Sequence, residues 1–521
     1  MRNLCLILGD QLNIDSALFD DFDPEADAVW MAEVDHETTH VPCHKQRVTF
    51  FLSAMRHFRD GQRAEGREVI YHELTADRRK DRGKTFGDVL RKTIKSEKPA
   101  RVRVVEPGDE RVRTEIASVC DDAGVELDVL RDTHFYCSIE EFRDWAGGKK
   151  VLILETFYRM MRKREGVLMA DAKNPVDDRW NFDEDNRETF GKTGPDEEIK
   201  GPMSFSADDV TQGVLDLVED RWGDHPGSLD KFALPVTRGD ARKMLRYFIK
   251  TALPRFGTYE DAMWTGEAFV YHSRLSALLN IKLLNPRECV AAAIEAYEKR
   301  HATIANVEGF VRQLIGWREF IRGVYWLKMP EYAERNALAA NRQMPSFFWD
   351  GETDMACVKH AMSHVIDHGY THHIERLMVL GNLAMMYGAD PYAFHEWHMA
   401  MYVDAIDWVS LPNTLGMSQY GDGGVVGTKP YCSTGKYVDR MSNYCKGCRY
   451  KPGKAVGDDA CPFTTLYWDF LARNETKLKG NNRMALQLKN VVRKREKGEL
   501  GEIRDQADTL RLSWAATPSA W

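Results

Sequence analysis

Two stretches of the sequence decide the fold of the larger part of the chain: residues 370–378 read YTHHIERLM and residues 395–407 read HEWHMAMYVDAID. Ala, Leu, Met and Glu are frequent in them and neither has an interior proline, so each is predicted to form an α-helix. On a helix, His372 and His373 lie four and three residues before Arg376, so these three side chains share one broad face.

The second stretch places charge on a face that also carries large apolar side chains. The helical spacing i, i+4, i+7, i+11 is followed by Trp397, Met401, Asp404 and Trp408. Buried charges need partners, so Arg376 and Asp404 are predicted to form an ion pair. The alternative is two surface helices with an ordinary ion pair, because most charged positions are simply solvated.

The order of this whole set resembles the flavin-binding helical domain of the photolyase and cryptochrome family. The resemblance implies FAD against the Arg376–Asp404 pair, with Asp407 as a further contact. His373 corresponds to the histidine that marks the (6-4) photolyase branch, where cyclobutane-dimer enzymes typically carry asparagine. Leu377 stands where animal (6-4) enzymes carry a second histidine, so a tyrosine or water would have to replace that histidine in a proton relay.

The bulk properties are those of a globular protein. A chain of 521 residues with 43% hydrophobic residues predicts two to four domains with a real core. We find no apolar run of about 18 residues and no secretory signal in the first ten residues, so we expect a cytoplasmic protein with no membrane partner. The net charge of −8 argues against non-specific coating of nucleic acid. Residues 158–164, YRMMRKR, form a local basic patch that suits phosphates, or else a solvated helix face.

The first 135 residues alternate apolar runs with amphipathic stretches, which predicts an α/β domain with a parallel sheet covered on both faces. The strand candidates are residues 4–8, 28–32, 69–71, 102–105 and 127–130, and residues 49–63 are a helix candidate. Ligands of such sheets bind at the carboxyl ends of strands, which indicates residues 9–12 and 33–37. No GxGxxG motif follows the first strand, so the signal for a dinucleotide is weak.

The family resemblance makes this first domain, residues 1–135, an antenna domain. In the iron–sulfur bacterial branch of the family the antenna is 6,7-dimethyl-8-ribityllumazine. Asp10, Gln11 and Glu37 match its contact positions. Without the resemblance, these polar residues would be interpreted as solvated loop residues.

The remaining chain divides into two parts. Periodicity fades over residues 136–206, which are predicted to be a connector that wraps the domains. Residues 207–521 are predicted to be an all-α domain that binds FAD, since 242–251 and 287–302 show a 3.6-residue apolar period.

A run of small hydroxyl side chains beside an arginine lies early in the helical part, at residues 272–276. Such a run suits an anionic phosphate at a helix N-terminus, although an ordinary serine N-cap gives the same pattern. The run resembles the FAD pyrophosphate segment of the family. The residues expected to bind FAD are therefore Tyr259, His272, Ser273, Arg274, Leu275 and Ser276.

Aromatic residues supply the other candidates. Residues 313–320, QLIGWREF, resemble the pocket helix of the family, in which Trp317 would line the flavin and lesion pocket. An enzyme that acts on an extruded base needs such rings. Trp397, Trp349 and Tyr437 match an electron path to the flavin, although aromatic residues are mostly packing.

Ten cysteines in a long chain do not indicate a disulfide scaffold. Cys445 and Cys448 form a CxxC, Cys461 follows, and either Cys357 or Cys432 could be a fourth ligand. Chemistry alone would put zinc first. The resemblance reverses this order, because Cys357, Cys445, Cys448 and Cys461 match the ligands of the [4Fe–4S] cluster in the iron–sulfur bacterial subgroup.

The sequence therefore predicts a monomeric enzyme that repairs (6-4) photoproducts in UV-damaged DNA by light-driven electron transfer from reduced FAD. His373 would be the general acid, because an imidazole suits proton transfer near neutral pH. The first alternative is a blue-light cryptochrome with the same cofactors and no repair activity. The second is a zinc-stabilised nucleic-acid-binding module without flavin.

Overall fold

A computed structural model describes residues 1–515 and shows a five-stranded parallel sheet followed by a large helical region. The strands are β1 (Asn3–Leu6), β2 (Ala28–Ala32), β3 (Val69–His72), β4 (Arg101–Val105) and β5 (Glu126–Leu130). Their order in the sheet is β3–β2–β1–β4–β5, and every neighbouring pair is parallel. The predicted α/β fold of the N-terminal part is confirmed.

The central strands β1 and β2 are buried along their whole length, because helices cover both faces of the sheet. Leu4 on β1 lies opposite Ala28 on one side and Val102 on the other. The helices of this half are α1 (His36–Thr39), α2 (Lys45–Ala64), α3 (Phe86–Glu97), α4 (Glu110–Ala123), α5 (Ile139–Ala146) and α6 (Leu154–Glu165). The last two lie inside the predicted connector.

The rest of the described chain is helical. Its first helices are α7 (Asp209–Trp222), α8 (Arg238–Thr251), α9 (Leu253–Phe256), α10 (Ser276–Asn280), α11 (Pro286–Glu298), α12 (Ile304–Val311), α13 (Arg318–Lys328), α14 (Phe347–Asp350) and α15 (Ala356–His368). They are followed by α16 (Asn382–Tyr387), α17 (Pro391–Met401), α18 (Asp407–Leu411), α19 (Gly435–Met441), α20 (Pro462–Arg473), α21 (Glu475–Leu478), α22 (Ala485–Glu496) and α23 (Leu500–Ala515).

Three π-helical segments interrupt this region, and such segments often mark functional sites. They are Arg312–Trp317, Glu375–Gly381 and Pro412–Ser418. Short 3-10 turns are formed by Ala17–Phe19, Arg78–Lys80, Val176–Asp178, Tyr444–Lys446 and Asn482–Met484.

The single helix predicted for residues 395–407 is wrong, because α17 ends at Met401. Tyr402 is extended, with φ −108° and ψ 133°, and the amide of Val403 donates to the carbonyl of Gly369 at 3.0 Å. This tertiary hydrogen bond pulls the chain out of the helix, so Asp404 lies in a turn. The shared helical face that the spacing predicted for Asp404 does not exist.

Buried charges hold the sheet half against the helical half. Lys282 lies 2.7 Å from Asp132, and both side chains are 3% exposed. Arg318 contacts His134 Nδ1 at 3.1 Å. Such pairs need each partner, because a lone buried charge is costly. Among residues 1–515, no helix is long and apolar enough to cross a membrane.

Candidate cofactor and catalytic sites

The predicted ion pair between Arg376 and Asp404 is confirmed, although Asp404 reaches it from a turn. The two guanidinium nitrogens donate to the two carboxylate oxygens at 3.0 and 3.1 Å. The Ser276 hydroxyl donates to Asp404 Oδ2 at 2.6 Å, and Arg376 Nε donates to the Thr371 carbonyl at 2.8 Å. Burial alone would raise the pKa of Asp404, but Arg376 and the Ser276 hydroxyl outweigh it and hold the pKa below its usual value.

His372 and His373 differ in environment although they are adjacent. His372 is fully buried, both of its ring nitrogens lack a partner, and its ring stacks on His272 with centroids 4.7 Å apart. His373 is exposed to solvent, yet protein surrounds it, so it faces an open recess beside Arg376. The protein atoms that crowd the ring and the Arg376 charge lower the pKa of His373 to about 4. Its imidazole is therefore neutral at pH 7 until a negative partner arrives.

The predicted pyrophosphate segment lies next to this site. Arg274 is buried, with a left-handed φ of 54°, and it donates to the His368 carbonyl at 3.2 Å. Burial lowers its pKa to about 10. Ser276 begins α10, which has only five residues, and its hydroxyl is already bound to Asp404. Tyr259 stacks on Phe190 with ring centroids 4.8 Å apart.

Several polar atoms of this region are buried without a partner, which fits a polar cofactor. They are Arg274 Nε, His398 Nδ1 and both ring nitrogens of His372. Buried polar groups in folded proteins are almost always hydrogen-bonded, so a ligand is the natural partner for them. The residues present therefore fit FAD.

The aromatic candidates are packed to different degrees. The Trp397 indole donates to the Phe348 carbonyl at 2.6 Å, and its ring contacts Phe348 at a centroid distance of 5.2 Å. The ring centroids of Tyr402 and Trp397 are 5.7 Å apart, and the Arg376 guanidinium lies over the Tyr402 ring, 4.0 Å from its centroid. This makes Tyr402 the aromatic neighbour that joins Trp397 to the ion pair.

The other three aromatic candidates are half-buried. Trp349 lies at the end of α14, and Tyr437 lies on α19 with Arg440 over its ring at 5.5 Å. Trp317 ends a π-helical segment and packs edge-on against Phe320. Their roles in electron transfer and in the pocket stay predictions.

A cavity opens at the carboxyl ends of β1, β2 and β4. The acidic residues that line it are Asp10, Glu33, Glu37, Asp109 and Asp407. Arg111 bridges Glu37 at 2.9 Å and Asp109 at 3.2 Å. Burial would raise the pKa of Glu37, but His36 and Arg111 lower it to about 2. Apolar walls with a few convergent polar groups are typical of small-molecule sites.

Gln11 is the one antenna candidate that does not line this cavity. Its side-chain amide donates to the carbonyls of Val105 and Glu106 at 3.0 and 3.3 Å, so it ties β1 to the end of β4. The contact that the sequence predicts between Gln11 and the antenna is therefore replaced by a structural role for its side chain.

Asp407 lies in this same cavity rather than among the residues around the Arg376–Asp404 pair. Its carboxylate accepts from His395 Nε2 at 2.9 Å and from the Tyr325 hydroxyl. The sequence predicted an FAD contact, and the correction is that the break in the helix after Met401 turns Asp407 towards the sheet domain. Met399 and Ile406 also line the cavity, so the helical half completes it.

Asp109 is a site residue that the sequence analysis missed. It caps α4 and lies at the end of β4 as Asp10 lies at the end of β1. Burial and the nearby Asp407 raise its pKa to about 7. The signal in the sequence was the Pro107-Gly108-Asp109 turn after a predicted strand, which repeats the pattern of Gly9-Asp10.

The four cysteines predicted to bind a cluster meet around one pocket. Cys357, Cys445, Cys448 and Cys461 all line it, and Cys432 is absent from its lining. Its other walls are mainly apolar. Burial raises the pKa of the Cys445 thiol to about 12 and that of Cys357 well above its usual value.

The four thiols line one pocket without forming a metal-binding group. Within residues 1–515, no group of three or more His, Cys, Asp or Glu side chains is arranged to hold a metal ion. A Cβ atom added at Gly435 would lie 2.6 Å from Cys461 Sγ, so glycine leaves the space beside this sulfur open. Four cysteine thiolates are the donor set that a [4Fe–4S] cluster uses, and the residues present are of that type.

The basic patch at residues 158–164 is only partly available to a partner. Arg162 is buried and donates to the carbonyls of Val167, Leu168 and Trp180. Arg159 and Lys163 are exposed, and both lie over the Trp180 ring. The exposed basic face is therefore smaller than the sequence suggests.

Together, the five-stranded parallel sheet and the helical region with its buried ion pair define an architecture of a sheet half followed by a helical half. A family model described as "Deoxyribodipyrimidine photo-lyase-related protein" matches residues 5–234. A (6-4) photolyase of Agrobacterium fabrum is 44% identical over 485 residues, covering 93% of this chain and 94% of that protein. The chain belongs to the photolyase and cryptochrome family.

Solved structures show the same fold at low sequence identity. A bacterial class III photolyase from Agrobacterium tumefaciens has a TM-score of 0.58 at 16% identity, covering 92% of this chain and 98% of that one. The cryptochrome of Synechocystis sp. has a TM-score of 0.52 at 13% identity, covering 84% and 88%. An archaeal photolyase from Sulfolobus tokodaii, solved with two FAD molecules, has a TM-score of 0.52 at 15% identity, covering 85% and 87%. Because photolyases and a cryptochrome share the fold, the fold alone does not separate these two activities.

Proposed function

We propose that the protein is a (6-4) photolyase that repairs UV-damaged DNA with light absorbed by bound FAD. The observation that carries the proposal is His373, the (6-4)-type histidine, in an open recess beside the Arg376–Asp404 pair. The identity of 44% over nearly the whole length of a named (6-4) photolyase supports it. The family match makes the zinc-stabilised module, the third candidate from the sequence, wrong.

Residues around the ion pair would hold FAD. Arg376 and Asp404 fix each other, Ser276 orients Asp404, and His372 offers two unpartnered ring nitrogens. When bound and reduced, FAD supplies a photoexcited one-electron donor. The protein must orient the damaged base next to it and exclude water, because fixed dipoles act more strongly in a dry site.

His373 would give the proton that oxygen transfer between the two pyrimidines requires. Its pKa of about 4 in the open site leaves the imidazole neutral at pH 7. A polyanionic DNA strand in the recess would raise this pKa, so the ring nitrogen takes up its proton when the substrate arrives. Leu377 cannot relay a proton, so this proton transfer proceeds without a second histidine at that position.

The matched test compares His373→Ala with His301→Ala. His301 is an exposed histidine between α11 and α12, and its ring nitrogen lies 3.2 Å from the Lys250 carbonyl. We expect His373→Ala to keep FAD and to bind damaged DNA but to lose repair, whereas His301→Ala repairs normally. Full repair by His373→Ala would remove the general-acid role.

A [4Fe–4S] cluster would occupy the pocket formed by Cys357, Cys445, Cys448 and Cys461. Cysteine binds metal as the thiolate, so a bound cluster would counter the burial that raises the pKa of the Cys357 thiol. The pocket lies between α15, α19 and α20, which the cluster would tie together. We assign it a structural role in this function.

The sheet-side cavity would hold 6,7-dimethyl-8-ribityllumazine as an antenna. Its carboxylates suit the hydroxyl donors of a ribityl chain, and its apolar walls suit a flat ring. Asp10 and Glu37 keep the role that the sequence gave them, and Asp109 and Asp407 join them.

DNA would approach the recess of His373 with the damaged bases turned out of the duplex. Enzymes that act on a base pay a few kcal/mol to extrude it, and least for a damaged one. The exposed Arg159 and Lys163 offer phosphate contacts beside the Trp180 ring. We propose that the protein acts as a monomer.

A further inference from the structure

A line of buried polar contacts runs from the cysteine pocket to the histidines beside the ion pair. Tyr444 lines the pocket, and its hydroxyl donates to Glu375 Oε1 at 2.7 Å. Glu375 Oε2 lies 3.1 Å from His364 Nδ1 and 3.9 Å from His372 Nε2. Glu375 is completely buried, so its carboxylate depends on such protein groups for its hydrogen bonds.

The two ends of this line are residues that directly neighbour site residues in the sequence. Glu375 directly precedes Arg376, and Tyr444 directly precedes Cys445. Helix α15 carries Cys357 and His364 two turns apart, so they lie on the same face. A displacement or charge change at either site therefore reaches Glu375 through one residue.

Glu375 carries its charge in spite of burial. Burial alone would raise its pKa, but His372 and the hydrogen bonds from His364 and Tyr444 lower it. The carboxylate is thus a fixed negative charge in a region of low dielectric, where electrostatic interactions are stronger than in water.

We propose that Glu375 is a positioning residue that couples the electron occupancy of the cysteine-bound cluster to that of the flavin. The inference rests on the proposed function, because both cofactors belong to it. The Glu375 charge opposes addition of an electron at either centre. Tyr444 links Glu375 to the cysteine pocket, and its chain neighbour Arg376 links it to the ion pair.

The test measures the midpoint potentials of cluster and flavin in the holoprotein. Glu375→Gln keeps the shape and removes the charge. We expect it to favour the reduced form of each centre about tenfold at a fixed ambient potential, which is ~59 mV for a one-electron couple. Asp27→Asn is the matched control, since Asp27 is a buried carboxylate that pairs with Arg2 in the sheet domain and lines neither cavity. Unchanged potentials in Glu375→Gln, or equal shifts in both variants, would overturn the proposal.

A second measurement protects the test against loss of a cofactor in Glu375→Gln. In the wild-type protein, the flavin potential is measured with the cluster oxidised and with it reduced, because coupling between two sites is reciprocal. We expect a difference that becomes smaller in Tyr444→Phe, which keeps the carboxylate and removes its bond to the pocket. No difference in the wild type refutes the coupling.

The failure of this inference is distinguishable from failure of the proposed function. Iron and sulfide analysis of the wild type tests the cluster, and a repair assay tests the enzyme. Iron, flavin and repair present with unmoved potentials would overturn the coupling alone. A wild-type protein without iron would overturn the cluster assignment, and the coupling with it.

Discussion

Removing the negative member of the central ion pair is the sharpest test of the flavin site. Asp404→Asn keeps the side-chain size and leaves the Arg376 guanidinium without its carboxylate, which now accepts two bonds at 3.0 and 3.1 Å. The Arg376 side chain is only 18% exposed, so solvent compensates little. Breaking a buried pair by removing one partner costs about 3 kcal/mol, roughly a hundredfold in an equilibrium constant.

The assay follows flavin content and urea unfolding of the purified holoprotein. We expect Asp404→Asn to release FAD at clearly lower urea than the wild type and to be purified with less of it. The matched control is Asp185→Asn, which removes an acid from an exposed pair with Arg179 of which both side chains are nearly half exposed. Such surface pairs contribute about 0–1 kcal/mol, so the control should behave as wild type. Equal flavin retention in the two variants would refute the claim that this pair holds the cofactor site.

Three further predictions concern the other sites. Cys357→Ser should lose the iron and sulfide of the purified protein, whereas Cys432→Ser should keep both; zinc in place of iron in the wild type would contradict the cluster. The pKa of buried His372 is about 4 instead of 6.5, so this histidine is neutral when folded and takes up a proton on unfolding. The free energy of unfolding therefore falls by up to about 3 kcal/mol as the pH decreases from 6.5 to 4, because the unfolded chain binds a proton there that folded His372 does not. We expect His372→Gln to flatten the acid side of the stability profile, and an unchanged slope would contradict this pKa. Glu37→Gln should lose bound lumazine and keep FAD, as measured by chromophore extraction, and normal lumazine content would remove Glu37 from the antenna site.

Much of the fold could be predicted from the sequence because its signals are local. Five apolar runs separated by amphipathic stretches suffice for a parallel sheet, and all five strands are present. The pairing of Arg376 with Asp404 was also predictable, since each charge needs a partner in an apolar setting. The helix that was expected to present Asp404 ends at Met401, three residues too early. The hydrogen bond from Val403 to Gly369 that ends it depends on a distant segment, which local spacing does not reveal.

Tertiary contacts set the positions of the site residues that were predicted wrongly from the sequence. Asp407 lines the sheet-side cavity because the chain turns after Met401. The side-chain amide of Gln11 donates to two backbone carbonyls instead of pointing into that cavity. Arg162 lies in a basic run but is buried against carbonyl oxygens. The contact of Glu375 with Tyr444 joins residues 69 positions apart, so spacing could not predict it.

The most direct test of the central claim illuminates the reduced protein with blue light in the presence of two oligonucleotides. One carries a (6-4) photoproduct, the other carries a cyclobutane dimer, and each has a dark control. We predict light-dependent restoration of the (6-4) strand alone. Restoration of the dimer alone would contradict the role given to His373, and restoration of neither strand, with FAD bound and photoreducible, would favour a cryptochrome photoreceptor instead.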